Sequence, residues 1–179
     1  MIEINELKPT DLEPAVELFR RTIPEAFREE GLAALTAEIQ QEIEGKRRML
    51  QDALFNERSP IRFLVARMGA NLVGMISIGP CNDDIVRCTG GRLKIIPELG
   101  SLYVLREYQG QGIASALIKA MANSLADRGI ESFCLDSGYR NAQVKWLRKF
   151  GQPYSTVQDY WGQGLAHMVW HCEVAHYLS

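Results

Sequence analysis

The stretch 98–115, ELGSLYVLREYQGQGIAS, constrains this chain more than any other. It places a short apolar strand at 99–104 ahead of the glycine-rich turn Gln109-Gly110-Gln111-Gly112. A helix then starts at Ile113-Ala114-Ser115. Glycines let the backbone come close to a bulky anion. The first turn of the following helix offers unpaired N–H groups and the positive end of its dipole. The turn therefore predicts a phosphate ligand. A Walker A loop would need Lys and Ser or Thr after its last Gly, where this chain has Ile113-Ala114. A dinucleotide fingerprint would need Gly or Ala at Ser115 and no residues between strand and turn, yet 105–108 intervene.

The sequence beyond the turn fits one strand–helix–strand unit. Ile113, Leu117, Met121 and Leu125 recur every four residues with Ala114, Ala116 and Ala120 beside them, predicting an amphipathic helix over 112–128 capped by Gly129. A strand is predicted at 132–136, parallel to the first through a right-handed crossover. The order Gln-x-x-Gly-x-Ala, filled by Gln109, Gly112 and Ala114 behind Ser-Leu-Tyr-Val, resembles the acyl-CoA-binding motif of the GCN5-related N-acetyltransferase (GNAT) superfamily. The segment from Asn141 to Gly151 resembles the next helix of that family. The resemblance covers roughly residues 60–174 and, more loosely, the whole chain.

Around this unit the chain reads as a single α/β domain over 1–179, with no repeat or linker to divide it. Residues 1–60 hold a strand at 2–4 and then helices. A capping box opens the first helix at Thr10-Asp11-Leu12-Glu13, the stripe Leu12, Ala15, Val16, Phe19 follows, and Thr22-Ile23-Pro24 interrupts it. More helix is expected over 31–54. Residues 61–136 bring a hairpin at 61–68 and 72–78, a polar loop at 82–91, further strand at 92–96, and the acyl-CoA-binding core. Residues 137–179 add the helix after Asn141 and two strands at 154–161 and 166–174. The expected architecture is a mixed, mostly antiparallel twisted sheet with helices on both faces. The GNAT resemblance adds a splayed central strand pair.

Charge and composition exclude several partners. A net charge of −2 with 23% charged residues gives no reason to expect nucleic acid or an anionic membrane surface. No apolar run is long enough to span a bilayer, and the start MIEINELKPTDLE lacks a basic, then apolar, leader, so a cytoplasmic protein is expected. Cys81, Cys88, Cys134 and Cys172 show no ligand spacing. His167, His171 and His176 have no carboxylate or thiolate patterned beside them, so no metal site is expected.

The GNAT resemblance implies acetyl-CoA as acyl donor and a primary amine as acceptor, on a small molecule or a protein, with a homodimer possible. In that fold the backbone of Leu102, Tyr103 and Val104, freed from pairing, would bond the pantetheine arm and supply an N–H for the developing oxyanion. Gln109, Gly110, Gln111, Gly112, Ile113, Ala114 and Ser115 would hold the pyrophosphate, and Asn141 and Arg148 would lie on the cofactor side. An alkylammonium of pKa ~10 must lose a proton before it attacks. Glu98, opening the central strand, and Asp136, closing the next, are the candidate bases, with Glu98 favoured. Many family members carry Tyr seven residues after the Asn; here that position is Arg148. Tyr103, Tyr139 or Tyr154 could replace it, or the thiolate could leave unaided. Mixed charges over 22–58 and 80–97 form the expected acceptor wall. The competing expectation is a CoA-binding regulatory module with weakened catalysis.

Overall fold

The computed structural model describes residues 1–178. In chain order the elements are β1 (Ile2–Glu6), α1 (Leu12–Glu29), α2 (Thr36–Phe55), β2 (Arg62–Met68), β3 (Asn71–Gly79), α3 (Asp83–Cys88), β4 (Glu98–Val104), α4 (Ile113–Asp127), β5 (Ser132–Ser137), α5 (Arg140–Phe150), β6 (Ser155–Val157) and β7 (His167–Glu173). The seven strands form one sheet in the order β1-β2-β3-β4-β5-β7-β6, antiparallel except for β4 and β5. Helices cover both faces. Ile113, Leu117, Met121 and Leu125 of α4 pack on one face with Val73, Ile76, Leu99, Phe133 and Trp170. Ala15, Val16, Phe19 and Ile23 of α1 pack on the other with Ile39 and Leu50 of α2 and Val65 and Met75 of the sheet.

Two departures from regular pairing create the site. Opposite β3, Tyr103 pairs with Met75 and Gly100 with Ser77, so three steps along β4 match two along β3. The extra residue is a bulge, and Ser101 carries its cost as a non-glycine residue at φ 48°. The bulge shifts the side-chain phase: Leu99, Leu102 and Val104 pack toward the α4 core, whereas Tyr103 packs toward α1. On the other edge, β4 and β5 share one register pair, Glu98 with Cys134, and Cys134 N–H donates to Pro97 O. Beyond Glu98 the strands part, while β5 stays paired to β7 as far as Ser137. The expected splay is present.

Five local expectations fail, the first being the capping box at Thr10-Asp11-Leu12-Glu13: the Asp11 side chain caps no N–H of α1 and instead accepts from Lys8 N–H in the turn ahead of it. Pro24 does not interrupt α1, which runs through it to Glu29. A proline inside a helix costs ~3 kcal/mol, whereas each fully buried large apolar side chain returns about 1.5–3 kcal/mol, and Val16, Leu18, Phe19 and Ile23 are all buried. The loop at 82–91 contains the short helix α3, because the Asn82 side chain caps it by accepting from Ile85 N–H. Residues 92–96 form turns instead of strand: Gly90 and Gly91 take positive φ, and Arg92, Lys94 and Ile96 each bond three residues back. The strand expected over 154–161 is only Ser155–Val157. Asp159 at φ 55° turns the chain there, and the loop closes through Trp161 N–H to Leu165 O and Gly164 N–H to Asp159 Oδ1.

Candidate active site

The parted strands open a cleft of about 380 Å³, with Leu102, Tyr103 and Val104 on one side, Leu135 and Asp136 on the other, and α1, α2 and the start of α5 as walls. A larger hollow of about 580 Å³ lies at the far end of β4 and β5, lined by Ile95, Ile96, Pro97 and Ile130. It reaches neither Glu98 nor the glycine turn, so the smaller cleft is the candidate.

Glu98 sits at the vertex where the strands part, and Asp136 faces it from β5. Asn82 ties them together: its backbone N–H donates to Glu98 Oε2 at 2.7 Å, and its side-chain amide reaches Glu98 Oε1 at 3.2 Å and Asp136 Oδ2 at 3.0 Å. Burial, and then the Asp136 charge, push the Glu98 carboxyl up to about 7, against the lowering effect of the Asn82 bonds and Lys46. A carboxyl poised there can accept a proton near neutrality. Behind Asp136 stands a residue whose link to this cleft no sequence pattern shows. His167 of β7 is 3% exposed, its Nε2 lies 2.9 Å from Asp136 Oδ2, and Trp161 Nε1–H donates to its Nδ1 at 3.0 Å. Among the described residues no cluster of three or more His, Cys, Asp or Glu could hold a metal ion.

At the mouth, Gly110 and Gly112 take φ 77° and 80° with open space where a Cβ would stand. That combination suits close approach of a ligand to the backbone. Gly112 caps α4, and the N–H groups of Ile113, Ala114 and Ser115 precede the first bond of the helix, Ala116 N–H to Gly112 O. The Gln109 amide donates to Val104 O at 3.1 Å and the Gln111 amide to Glu107 O at 3.3 Å, which hold the turn against the end of β4. The cation that α5 brings here is Lys149, whose Nζ donates to Ser115 Oγ at 2.9 Å. Arg148 is exposed and is not part of the cleft lining. Asn141 serves the wall: its N–H donates to Glu30 Oε1 at 3.0 Å and its amide to Glu29 O.

These features fit acetyl-CoA. The edge of β4 facing β5 has no strand against it past Glu98. The Ser101 hydroxyl, in a residue 7% exposed at the cleft, has no protein partner, an arrangement that costs free energy until something satisfies it. The acidic residues on the cleft wall formed by α1 and α2 are partly engaged. Glu29 pairs with Lys145 at 2.8 Å and Glu42 with Lys46 at 3.5 Å, while Glu30 also accepts from the first N–H groups of α5.

The tyrosines divide clearly. Tyr103 and Tyr139 line the cleft, Tyr103 edge-on to Phe19 and Tyr139 against Phe27. Burial pushes the Tyr103 phenol far up, and burial followed by Glu42 and Glu30 raises that of Tyr139. Tyr154 packs on His171 and is absent from the cleft lining. Tyr139→Phe and Tyr154→Phe are each expected to leave turnover within a few fold of the parent. A general acid contributes ~100-fold or more, so a steady-state loss of that size in Tyr139→Phe would identify the hydroxyl as the leaving-group acid.

The model of the acetyltransferase (GNAT) family matches residues 15–152. No curated protein matches the chain in sequence. Solved structures share the fold. A Desulfovibrio desulfuricans protein assigned to the GNAT acetyltransferases superposes with TM-score 0.72 at 12% identity, covering 97% of this chain and 99% of its own. The PaiA N-acetyltransferase of Thermoplasma acidophilum, solved in complex with coenzyme A, gives 0.66 at 20% identity, covering 95% and 98%. The ribosomal-protein-S18-alanine N-acetyltransferase of Escherichia coli gives 0.61 at 14% identity, covering 97% and 94%.

Proposed function

The chain belongs to the acetyltransferase (GNAT) family and uses acetyl-CoA, and from that premise we propose that it acetylates a primary amine by direct attack, with Glu98 as the base. The observation that carries this reading is the vertex of the splay. One carboxyl, pushed up to about 7, stands where β4 and β5 part, between the open strand edge and the acceptor wall.

Each part of the reaction has a candidate in the chain. Glu98 takes a proton from the ammonium, directly or through one water, and leaves the nitrogen lone pair free to attack the thioester carbonyl carbon. An N–H of the bulged stretch of β4 bonds the oxygen as negative charge develops on it. As the C–N bond forms, the C–S bond breaks and its electron pair leaves on sulfur. A thiol of pKa ~8.5 departs tolerably as thiolate, and the second ammonium proton passes to it or to solvent. Gly110, Gly112, the first turn of α4 and Lys149 would hold the phosphates.

The acceptor is a primary amine of either class, a small molecule or a protein amine. Glu29 and Glu42 are paired with lysines, which leaves Glu25 and Glu30 as cleft carboxylates outside those pairs, suited to a cationic amine. The missing Tyr at Arg148 favours one competing reading, a CoA-binding module without catalysis. Thiol release from acetyl-CoA across a panel of amines, set beside CoA binding by calorimetry, separates the two. Amine-dependent release supports the transferase. Tight binding with no release above the uncatalysed rate for any amine supports the module.

A further inference from the structure

We propose that His167 is a positioning residue of this site, held by Trp161 so that its Nε2–H is committed to Asp136 and Asp136 faces the Asn82–Glu98 pair as a hydrogen-bonded anion. The proposal rests on the reading of Glu98 as the base and adds what sets that base. The chain of bonds is continuous. Trp161 Nε1–H donates to His167 Nδ1 at 3.0 Å, His167 Nε2 meets Asp136 Oδ2 at 2.9 Å, and the Asn82 amide spans Asp136 and Glu98 at 3.0 and 3.2 Å.

The tautomer follows from donor and acceptor rules. A ring nitrogen that accepts from an indole N–H carries no hydrogen, so the single proton of the neutral imidazole sits on Nε2 and points at Asp136. An imidazolium would set Nδ1–H against the Trp161 N–H, two donors face to face. The ring can take a charge only by breaking that bond. Asp136 is therefore matched by a hydrogen bond and not by a cation, and this ring places no counter-charge against its effect on Glu98.

Trp161 is placed for this task. Its ring stands edge-on to Tyr160 at 4.9 Å between centroids, and the Tyr160 hydroxyl donates to Asp84 Oδ1 of α3 at 2.6 Å. Asn82, which caps α3, thus ties the same short helix to Glu98. Gly138 supplies the room: a Cβ there would lie 2.5 Å from Trp161 Nε1, in contact range that no ordinary neighbour occupies.

The other groups facing Glu98 do not replace this control. Lys46 of α2 is a facing cation, but Glu42 shares it at 3.5 Å. Cys81 and Cys134 are thiols pushed up by burial, and the Tyr139 phenol is raised as well. None of these three carries charge near neutrality.

The test follows the Glu98 side-chain carboxyl carbon by NMR as pH is varied in the parent, Trp161→Phe and Gly138→Ala, with the Glu98→Gln spectrum for assignment. Trp161 is about half exposed, so water can enter beside Nδ1 when the indole is lost or displaced, and nothing then commits the hydrogen to Nε2. The altered hydrogen bonding at Asp136 is expected to move the Glu98 midpoint away from about 7 by about half a pH unit or more in both variants. The His167 nitrogens of the parent should report hydrogen on Nε2 alone. Hydrogen on Nδ1 in the parent, or a midpoint that moves in neither variant, overturns the proposal. The titration needs neither donor nor acceptor. A moved midpoint in a protein that transfers no acetyl group would therefore support the His167 control while removing the catalytic reading.

Discussion

Glu98→Gln is expected to lower amine-dependent turnover by ~100-fold or more while leaving acetyl-CoA affinity close to that of the parent. The substitution keeps the size and shape of the side chain at the vertex of the splay but removes the group that accepts the amine proton. In the parent, rate should rise with pH through about 7, as Glu98 loses its own proton and becomes able to act. In the variant that acid limb should disappear, and the residual rate should follow the free amine fraction alone. Some loss of stability is also expected. Asn82 presents two donors to the two carboxylate oxygens, and a Gln amide can accept only one of them, at a cost of about 1–3 kcal/mol for the donor left over. Turnover unchanged in a folded Glu98→Gln protein would pass the role to Asp136 or to water, and Asp136→Asn would tell those apart. Steady-state rates from about pH 5 to about pH 9, roughly two units either side of the Glu98 midpoint, are the measurement.

Gly112→Asp should weaken acetyl-CoA binding by about 100-fold or more, with the fold retained. Asp is a good cap for α4 and tolerates left-handed backbone better than most residues. The φ of 80° and the open space at Gly112 therefore do not forbid it. The loss comes from function: a carboxylate would stand where the first turn of α4 and Lys149 offer positive charge to a pyrophosphate. Gly112→Asn is the matched control, equal in shape and neutral. Calorimetry should show the Asp variant markedly weaker than the Asn variant, because most of the penalty is charge. Equal, undiminished affinity in both would move the phosphates away from this turn.

Much of this was legible because local patterns coincide with chemistry. The turn from Gln109 to Ser115 announced itself by glycines ahead of a helix whose apolar residues recur every four. Glu98 and Asp136 were legible because parallel strands joined by a crossover helix bring their adjoining ends to one cleft. The rest depended on tertiary pairing. The spacing of Leu99, Leu102 and Val104 breaks a two-residue alternation, and only the register with β3 shows that a bulge at Ser101 absorbs the break. The sequence shows His167 only as a histidine without a metal partner, because nothing in it places β7 beside β5, and its partner Trp161 lies in a loop where the pattern predicts strand. Arg148 and Lys149 point about 100° apart around α5, and only the packing shows that Lys149 reaches Ser115. The cap of α3 was hidden because Asn and Asp begin helices and turns alike.

In the proposed reaction acetyl passes from acetyl-CoA straight to an amine, with no covalent stop on the chain. Incubating the protein with acetyl-CoA carrying an isotope-labelled acetyl group, first alone and then with a primary amine acceptor, tests it by mass spectrometry. Direct transfer leaves the protein unlabelled in the first step and puts label on the amine nitrogen in the second. Label held on the chain before amine is added, at Cys81 or any other side chain, and then passed on to the amine, would contradict it.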